Sequence, residues 1–229
     1  MKDLGEVSNY PGCHITRDRK ARTVTFDQRR YVQTVAECFD TKKTGIIPAS
    51  LGVAPLSKGD GSQTDAEISN RRDTPYREAV GALMWITTMT RPDRSFVAHN
   101  VADFSDNPGP AHWKAVQKAL QYLKRTVDLG VTYGGGTAGM KLPAWVDADH
   151  ATGPDTRRSV SGVAVMLEWR AISWFSRAQW VAATATSESE YVALAEVVNE
   201  LRFLSQVKEF MTPPIEYKIN TYEDNKGAI

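Results

Sequence analysis

The sequence predicts an α/β fold whose last part holds a mixed β-sheet with flanking helices. Extended patterns and one long helical pattern alternate in residues 131–229, which is typical of strands that pack against a helix. Residues 74–129 carry only helical patterns, separated by prolines. Two short extended segments and one helix come before them, which indicates a small α+β part at the start of the chain.

The first part begins with extended segments at 5–16 and 21–27, which a polar turn separates. The second segment is rich in β-branched and aromatic residues, as strands are. A helix is predicted from Gln28 to Phe39, because apolar side chains recur there at every fourth position. Prolines and glycines then interrupt residues 44–72, which we interpret as a linker or a long surface loop.

Three helices are predicted in residues 74–129. The first begins after Thr74, a favourable N-cap residue, and ends before Pro92, because proline disfavours helical geometry in the residue that precedes it. The second helix spans about 93–104. The third carries its apolar residues on one face, and His112 at its start is interpreted as a packing or capping residue rather than a catalyst.

Strands dominate the last part, and a long helix beginning at Ser187 precedes the last of them. The predicted strands are 131–133, 142–146, 161–168, 171–175 and 217–222. The predicted packing face of the helix is formed by Tyr191, Leu194, Val198 and Leu201. From these patterns we predict three domains, at residues 1–58, 59–130 and 131–229.

The composition is that of an ordinary globular protein and excludes several classes. Of the 229 residues, 41% are hydrophobic and 24% are charged, and the net charge is only +1. The 2 cysteines are too few for a disulfide scaffold, and neither has a partner at zinc-ligand spacing. No apolar stretch is long enough to span a membrane, and no secretory signal is expected at the start.

Three acidic residues stand where a mixed sheet could bring them together. Asp147 ends an apolar strand, Glu190 lies in the first turn of the long helix, and Asp224 follows the last strand. Clustered carboxylates repel one another unless cations lie between them. Magnesium suits such a cluster, because it is a hard ion that prefers oxygen ligands.

Each of these acids also has a structural interpretation. An aspartate at the end of a strand commonly forms a turn. Glu190 stands three residues after Ser187, the spacing of a capping box. Asp224 could cap a following helix. Spacing alone therefore leaves a metal site and three local structural roles open.

Over nearly its whole length the chain resembles the Pol polyproteins of copia-type retrotransposons. Short strings occur in the order of the family's reverse transcriptase end, helical connection and ribonuclease H part. The strings are Asp3-Leu-Gly-Glu6, Tyr76-Arg-Glu-Ala-Val-Gly-Ala-Leu-Met-Trp85, Thr90-Arg-Pro-Asp93, Asp147-Ala-Asp149, Arg157-Arg-Ser-Val-Ser-Gly162, Ile172-Ser-Trp174, Ser187-Glu-Ser-Glu-Tyr191 and Asp224-Asn225. Each string is weakly specific, but their joint order is highly specific.

The resemblance implies a ribonuclease H-like mixed sheet in residues 131–229, after a helical connection and a small reverse-transcriptase remnant. By motif position, the catalytic and metal-binding acids are Asp147, Glu190 and Asp224. They are expected to bind two Mg²⁺ ions, which Mn²⁺ could replace, and to cleave the RNA strand of an RNA–DNA hybrid. Asp149 and Glu188 are expected to be neighbours rather than ligands.

The resemblance also implies partners and a location. Arg157, Arg158, Arg177 and Gln179 flank the predicted strands and are candidate contacts for nucleic acid. The expected partners are an RNA–DNA hybrid and the upstream reverse-transcriptase domains of the same polyprotein, with no membrane. The expected location is intracellular, in the cytoplasm within a virus-like particle or in the nucleus, and not secreted.

The chain departs from the family pattern in two ways. The paired-aspartate motif of the polymerase does not occur, so no polymerase activity is expected. The family's ribonuclease H continues beyond the Asp224-Asn225 block with a further strand and acid, so this domain is expected to be incomplete at its C-terminal end. Two alternatives to the nuclease therefore stay open: an inactive or repurposed fragment that binds nucleic acid or a protein, and a structural subunit of a reverse transcriptase.

Overall fold

A computed structural model describes residues 5–39, 56–134, 141–168, 170–211 and 218–225. The chain divides into two compact units, Met1–Gly135 and Gly136–Ile229. The described residues are mixed α/β, with six α-helices and two sheets. None of the helices in these ranges is both long and apolar enough to cross a membrane.

The first unit contains a four-stranded antiparallel sheet. Its strands are β1 (Asn9–Tyr10), β2 (Cys13–Asp18), β3 (Thr23–Asp27) and β4 (Val131–Gly134), in that spatial order. The predicted turn between β2 and β3 is confirmed, and the carboxylate of Asp18 accepts the backbone N–H groups of Lys20 and Ala21. Such a bond is the usual local role of aspartate in turns.

Five helices complete the first unit. They are α1 (Arg29–Cys38), α2 (Asp65–Asp73), α3 (Tyr76–Met89), α4 (Ser95–Ala102) and α5 (Pro110–Arg125), with short 3₁₀ turns at Lys58–Asp60 and Pro92–Arg94. The apolar faces of α1, α3, α4 and α5 form one core, with Leu83, Ile86, Val101 and Leu123 fully buried. The helices predicted in 28–39 and 74–129 are therefore present, with bounds that differ by a few residues.

Helix α2 was not predicted, because its sequence is polar and none of its residues is buried. A capping box defines its start: the Thr64 hydroxyl accepts the Glu67 backbone N–H, and the Glu67 carboxylate accepts the backbone N–H of Thr64. The described part of the predicted linker is thus partly helical. The rest of that prediction, residues 44–55, lies outside the described residues.

Strand β4 lies in a different sheet from the one the sequence predicted. Residues 131–134 pair with β3 of the first unit, in the register Phe26 with Val131 and Thr25 with Thr132. The unit boundary therefore falls at 135/136, five residues after the predicted start of the last domain. The predicted segments 1–58 and 59–130 also share one core, because Val32 and Val35 pack in the same cluster as Leu83.

The second unit contains a mixed four-stranded sheet and one long helix. Its elements are β5 (Lys141–Asp149), β6 (Val160–Leu167), β7 (Arg170–Ala178), α6 (Thr186–Met211) and β8 (Lys218–Tyr222). The spatial order is β7-β6-β5-β8. The first three strands are antiparallel neighbours, whereas β8 runs parallel to β5, so a crossover connection must join them.

Helix α6 packs on the sheet through small and branched side chains. Ala193, Val197 and Leu201 lie against Val146 and Val165 in one buried cluster. The predicted face was partly wrong, because Tyr191 and Val198 are exposed. The buried stripe instead follows positions 190, 193, 197 and 201, which is the i, i+3, i+7 spacing of a helix face.

Candidate metal centre

Three carboxylates from separate elements meet near the C-terminal ends of strands β5 and β8 in the second sheet. Asp147 lies in β5, Glu190 lies in the second turn of α6, and Asp224 lies two residues after β8. Each offers an oxygen, and these oxygens all lie within 4.8 Å of one another. The structure thus brings together the three acids that the sequence singled out.

The sheet topology explains why two of them meet. The pairing between β5 and β8 ends at Trp145 and Tyr222, and these two rings stack with their centroids 5.3 Å apart. Because the strands are parallel, both strands leave the pairing at the same end of the sheet. Asp147 and Asp224 each follow two residues later, so their side chains project near the same point.

Glu190 reaches this end of the sheet from the helix. Its side chain is only 3% exposed, and its carboxylate accepts the backbone N–H of Ala148. The other oxygen, Oε2, is buried and has no hydrogen-bond partner among the described residues. The alternative role of Glu190 in a capping box with Ser187 is not seen, because the carboxylate is directed at β5 instead.

Burial, followed by the nearby charges of Glu223, Asp147 and Asp224, raises the pKa of Glu190 to about 7. The hydrogen bond from Ala148 acts in the opposite direction. A buried carboxyl with a raised pKa among other acids is typical of a functional site. A cation would relieve both the repulsion and the unpartnered oxygen.

Glu223 is a fourth acid that the sequence analysis did not single out. One of its oxygens accepts the backbone N–H groups of Asp224 and Asn225, each at 3.1 Å. The other, Oε2, is buried without a partner among the described residues. A glutamate beside an aspartate after a strand gives no sequence signal of this role, which depends on the turn of the backbone.

The donor set fits a hard divalent cation. All candidate ligands are carboxylate oxygens, with no cysteine or histidine among them, and Mg²⁺ prefers such ligands. Two of the three acids are exposed, which leaves the centre open to water and to a substrate. The buried Oε2 of Glu190, which has no hydrogen-bond partner among the described residues, also points to a ligand.

The arginines predicted to bind nucleic acid differ in their surroundings. Arg157 and Arg158 are exposed in the loop between β5 and β6, and Arg157 adopts a positive φ of 57°. Arg177 is half exposed, with its Nε 3.2 Å from Glu196 and its guanidinium over the Phe175 ring. Arg157 and Arg158 are therefore accessible, whereas Arg177 is already engaged in an ion pair.

Gln179 lies where it cannot touch nucleic acid, because its side chain is fully buried. Its amide nitrogen donates to the Ser161 hydroxyl at 3.0 Å and to the Ser189 carbonyl at 2.8 Å. We therefore correct the prediction for this residue: it links β6 to α6 inside the unit.

Asp149 and Glu188, which were expected to be neighbours rather than ligands, are not members of the cluster of three acids. Asp149 is exposed at the end of β5, outside the cluster of three. Glu188 accepts the backbone N–H and the hydroxyl of Thr184, and these bonds lower the pKa of its carboxyl. Glu188 thus stabilises the start of α6, the role the sequence analysis had considered for Glu190.

Several known proteins are similar to this chain. The retrovirus-related Pol polyprotein from transposon TNT 1-94 of Nicotiana tabacum is 35% identical over 231 residues, which cover 100% of this chain. The corresponding polyprotein from transposon RE1 of Arabidopsis thaliana is 27% identical over 233 residues, again across 100% of this chain. The secreted RxLR effector protein 161 of Plasmopara viticola is 37% identical over 135 residues, which cover 58% of this chain and 94% of the effector.

The chain spans only 17% and 15% of the lengths of these two polyproteins. No family model matches it, and no solved structure does. The similarity to the polyproteins is therefore one of sequence along the whole chain.

Proposed function

Since this chain belongs to the Pol polyproteins of copia-type retrotransposons, we propose that its second unit is a ribonuclease H-like domain. Its reaction is the hydrolysis of the RNA strand in an RNA–DNA hybrid. The observation that carries this proposal is the meeting of Asp147, Glu190 and Asp224, whose oxygens lie within 4.8 Å of one another.

The elements that supply the acids support the proposal. Strand β5, helix α6 and the segment directly after the parallel strand β8 each contribute one carboxylate, which is the arrangement that the family resemblance implies. The buried Glu190 is held by the Ala148 N–H, whereas Asp147 and Asp224 face solvent. A phosphodiester could therefore approach from the side of the two aspartates.

Asp147, Glu190 and Asp224 would hold two Mg²⁺ ions, or Mn²⁺ in their place. When bound, such ions supply an activated water and charge stabilisation for the leaving oxygen. Glu190 must be ionised to serve as a ligand, and cation binding favours that form over its neutral one. The protein's own contribution is to fix three acids from three elements around one point.

Substrate contacts fit the same side of the unit. Arg157 and Arg158 are exposed in the loop that follows β5, so they can reach phosphates of a duplex bound at the strand ends. Selection of a hybrid would rest on duplex shape and on the 2′-hydroxyl. The upstream reverse-transcriptase domains of a Pol polyprotein would supply the hybrid, inside the cell in a virus-like particle or the nucleus.

The test is cleavage of a labelled RNA–DNA hybrid by the full chain. We expect cleavage of the RNA strand with Mg²⁺ and none with a chelator. Asp147→Asn should lower the rate by at least about a hundredfold, because it removes a charged ligand from the centre. Asp149→Asn is the matched control: it removes an exposed carboxylate from the same strand and should leave the rate within about twofold.

A folded chain that binds the hybrid but does not cleave it would contradict the nuclease. That result would favour the alternative, an inactive or repurposed fragment. One comparison favours this alternative. The 135 matched residues make up 94% of the Plasmopara protein, which is named a secreted effector. The Asp147→Asn variant separates the two functions, since the alternative does not require that charge.

A further inference from the structure

The buried amide of Gln179 touches two elements that hold the metal centre. The residue directly follows β7, and its backbone N–H donates to the Ser159 carbonyl at 2.8 Å. Its side-chain nitrogen donates to Ser161 in β6 and to Ser189 in α6. Gln179, Ser161 and Ser189 are all fully buried, so water does not compete for these bonds.

Both acceptors are connected to Glu190 through neighbouring residues. Ser189 is its immediate neighbour in the chain, and Ser161 is the cross-strand partner of Ala148. Ala148 in turn donates its backbone N–H to the Glu190 carboxylate. The contacts therefore close a ring that runs from Gln179 through β6 and β5 to Glu190 and back through Ser189.

The bond to Ser189 is not an ordinary helix cap. In an α-helix the carbonyl of residue 189 accepts the N–H of residue 193, and both residues lie within α6. The bond from Gln179 is thus an additional, tertiary link. Such a link adds little to the helix itself, but it fixes the position of this turn against the sheet.

We propose that Gln179 is a positioning residue for the metal centre: its amide fixes the turn of α6 that carries Glu190 against β5 and β6. This role of Gln179 rests on the proposed function, because the metal centre is the proposed cation site. Gln179 itself contacts neither the cation nor the substrate in this role. Outer partners of metal ligands commonly act in this way.

The experiment compares Gln179→Met with Ser173→Ala in the full chain. Methionine keeps the volume of glutamine and removes the donor. Ser173→Ala removes another hydrogen bond between β7 and α6, the 2.6 Å bond from Ser173 to Glu200. Glu200 lies ten residues along the helix from Glu190, so this control loosens the same interface away from the centre.

Two readouts are measured, amide hydrogen exchange of Ala148 without cations and Mn²⁺ affinity by electron paramagnetic resonance. In Gln179→Met we expect exchange to be faster and Mn²⁺ affinity to be weaker, each by about tenfold or more. Ser173→Ala should leave both within about twofold. Unchanged readouts in a folded Gln179→Met variant, or equal changes in Ser173→Ala, would overturn the proposal.

Ser161→Ala is the milder second variant if Gln179→Met does not fold. It removes one of the two acceptors, so exchange at Ala148 should rise between about two- and tenfold, the effect of one hydrogen bond. No change in this variant would also overturn the proposal. A wild-type chain that binds no Mn²⁺ would count against the proposed nuclease, whereas the exchange of Ala148 would still decide the role of Gln179.

Discussion

Glu190 is a buried carboxyl beside three other acids, so burial and repulsion both disfavour its charged form. Burial and three neighbouring acids raise its pKa from the ordinary value of 4.5 to about 7. The folded second unit therefore binds a proton that the unfolded chain releases at lower pH. Its contribution to stability is fully present below about pH 4.5 and is lost as the pH rises through about 7.

We predict that, without divalent cations, the second unit is less stable at about pH 8 than at about pH 5. The loss should be about 1–3 kcal/mol, since water at the exposed rim of the site screens part of the interaction. Urea unfolding in a chelator at the two pH values measures it. Added Mg²⁺ should reduce the loss, because it binds the ionised form of the folded state.

The matched variant for this prediction is Glu190→Gln, a neutral side chain of the same shape. It should show little of the pH-dependent loss, because it has no proton to release. If the variant loses as much stability as the wild type between the two pH values, another group is responsible. The comparison of the two chains cancels titrations elsewhere in the protein.

The residues of the candidate site were predictable to different degrees. Asp147, Glu190 and Asp224 were identified from their place in ordered motifs, and the geometry brings all three together. Gln179 was assigned to the wrong partner, since sequence spacing does not reveal that a polar side chain is buried. Glu223 was missed, because its role depends on which backbone N–H groups the chain turns toward it.

At the scale of the element, side chains hold the starts of α2 and α5 in the first unit. His112, in the first turn of α5, is fully buried and accepts the Gly109 N–H through Nδ1. Its Nε2 donates to the Ser57 carbonyl, and its ring stacks on Phe104 at 4.2 Å. These bonds require one neutral tautomer, and they confirm the interpretation of His112 as a capping and packing residue.

We predict that His112→Ala destabilises the first unit by about 2–3 kcal/mol, because it leaves the buried Gly109 N–H and the partly buried Ser57 carbonyl without these partners. Chemical denaturation monitored by helical circular dichroism measures the change. His112→Asn should be less damaging, since its amide oxygen can still accept the Gly109 N–H. Equal losses in the two variants would show that stacking, and not capping, is the main contribution.

Helices α2 and α6 show what an element's sequence leaves open. Helix α2 has no apolar stripe and was not predicted, and the Thr64–Glu67 capping box defines its start in the structure. Helix α6 was predicted correctly as an element, but its packing face was not. Tyr191 and Val198 are apolar and correctly spaced, yet the sheet receives Ala193 and Val197, because close packing on a sheet depends on shape as well as on hydrophobicity.

At the scale of the whole molecule, strand β4 decides where the first unit ends. It pairs with β3 on the side opposite β2. The hydroxyls of Thr25 and Thr132 form a 2.9 Å hydrogen bond across this pairing. The Phe26 and Tyr133 rings also meet edge to face at 5.8 Å. The extended pattern of 131–133 does not show which sheet the strand joins, and the sequence analysis assigned it to the sheet of the last part.

We predict that a fragment of residues 1–135 is more stable than one of residues 1–130. The loss of β4 removes its four cross-strand pairs with β3 and should cost at least about 1 kcal/mol. The shorter fragment also exposes the edge of β3, which favours association between molecules. Unfolding midpoints and light scattering of the two fragments test this, and equal midpoints with equal scattering would argue against the boundary at 135/136.

The parallel pairing of β5 with β8 has a consequence for the order of events during translation. Asp147 and Glu190 leave the ribosome first, while the strand that delivers Asp224 is made only after the whole of α6. A nascent chain therefore contains Asp147 and Glu190 before Asp224 is made. The cluster of three acids is therefore complete only after synthesis has passed this last strand.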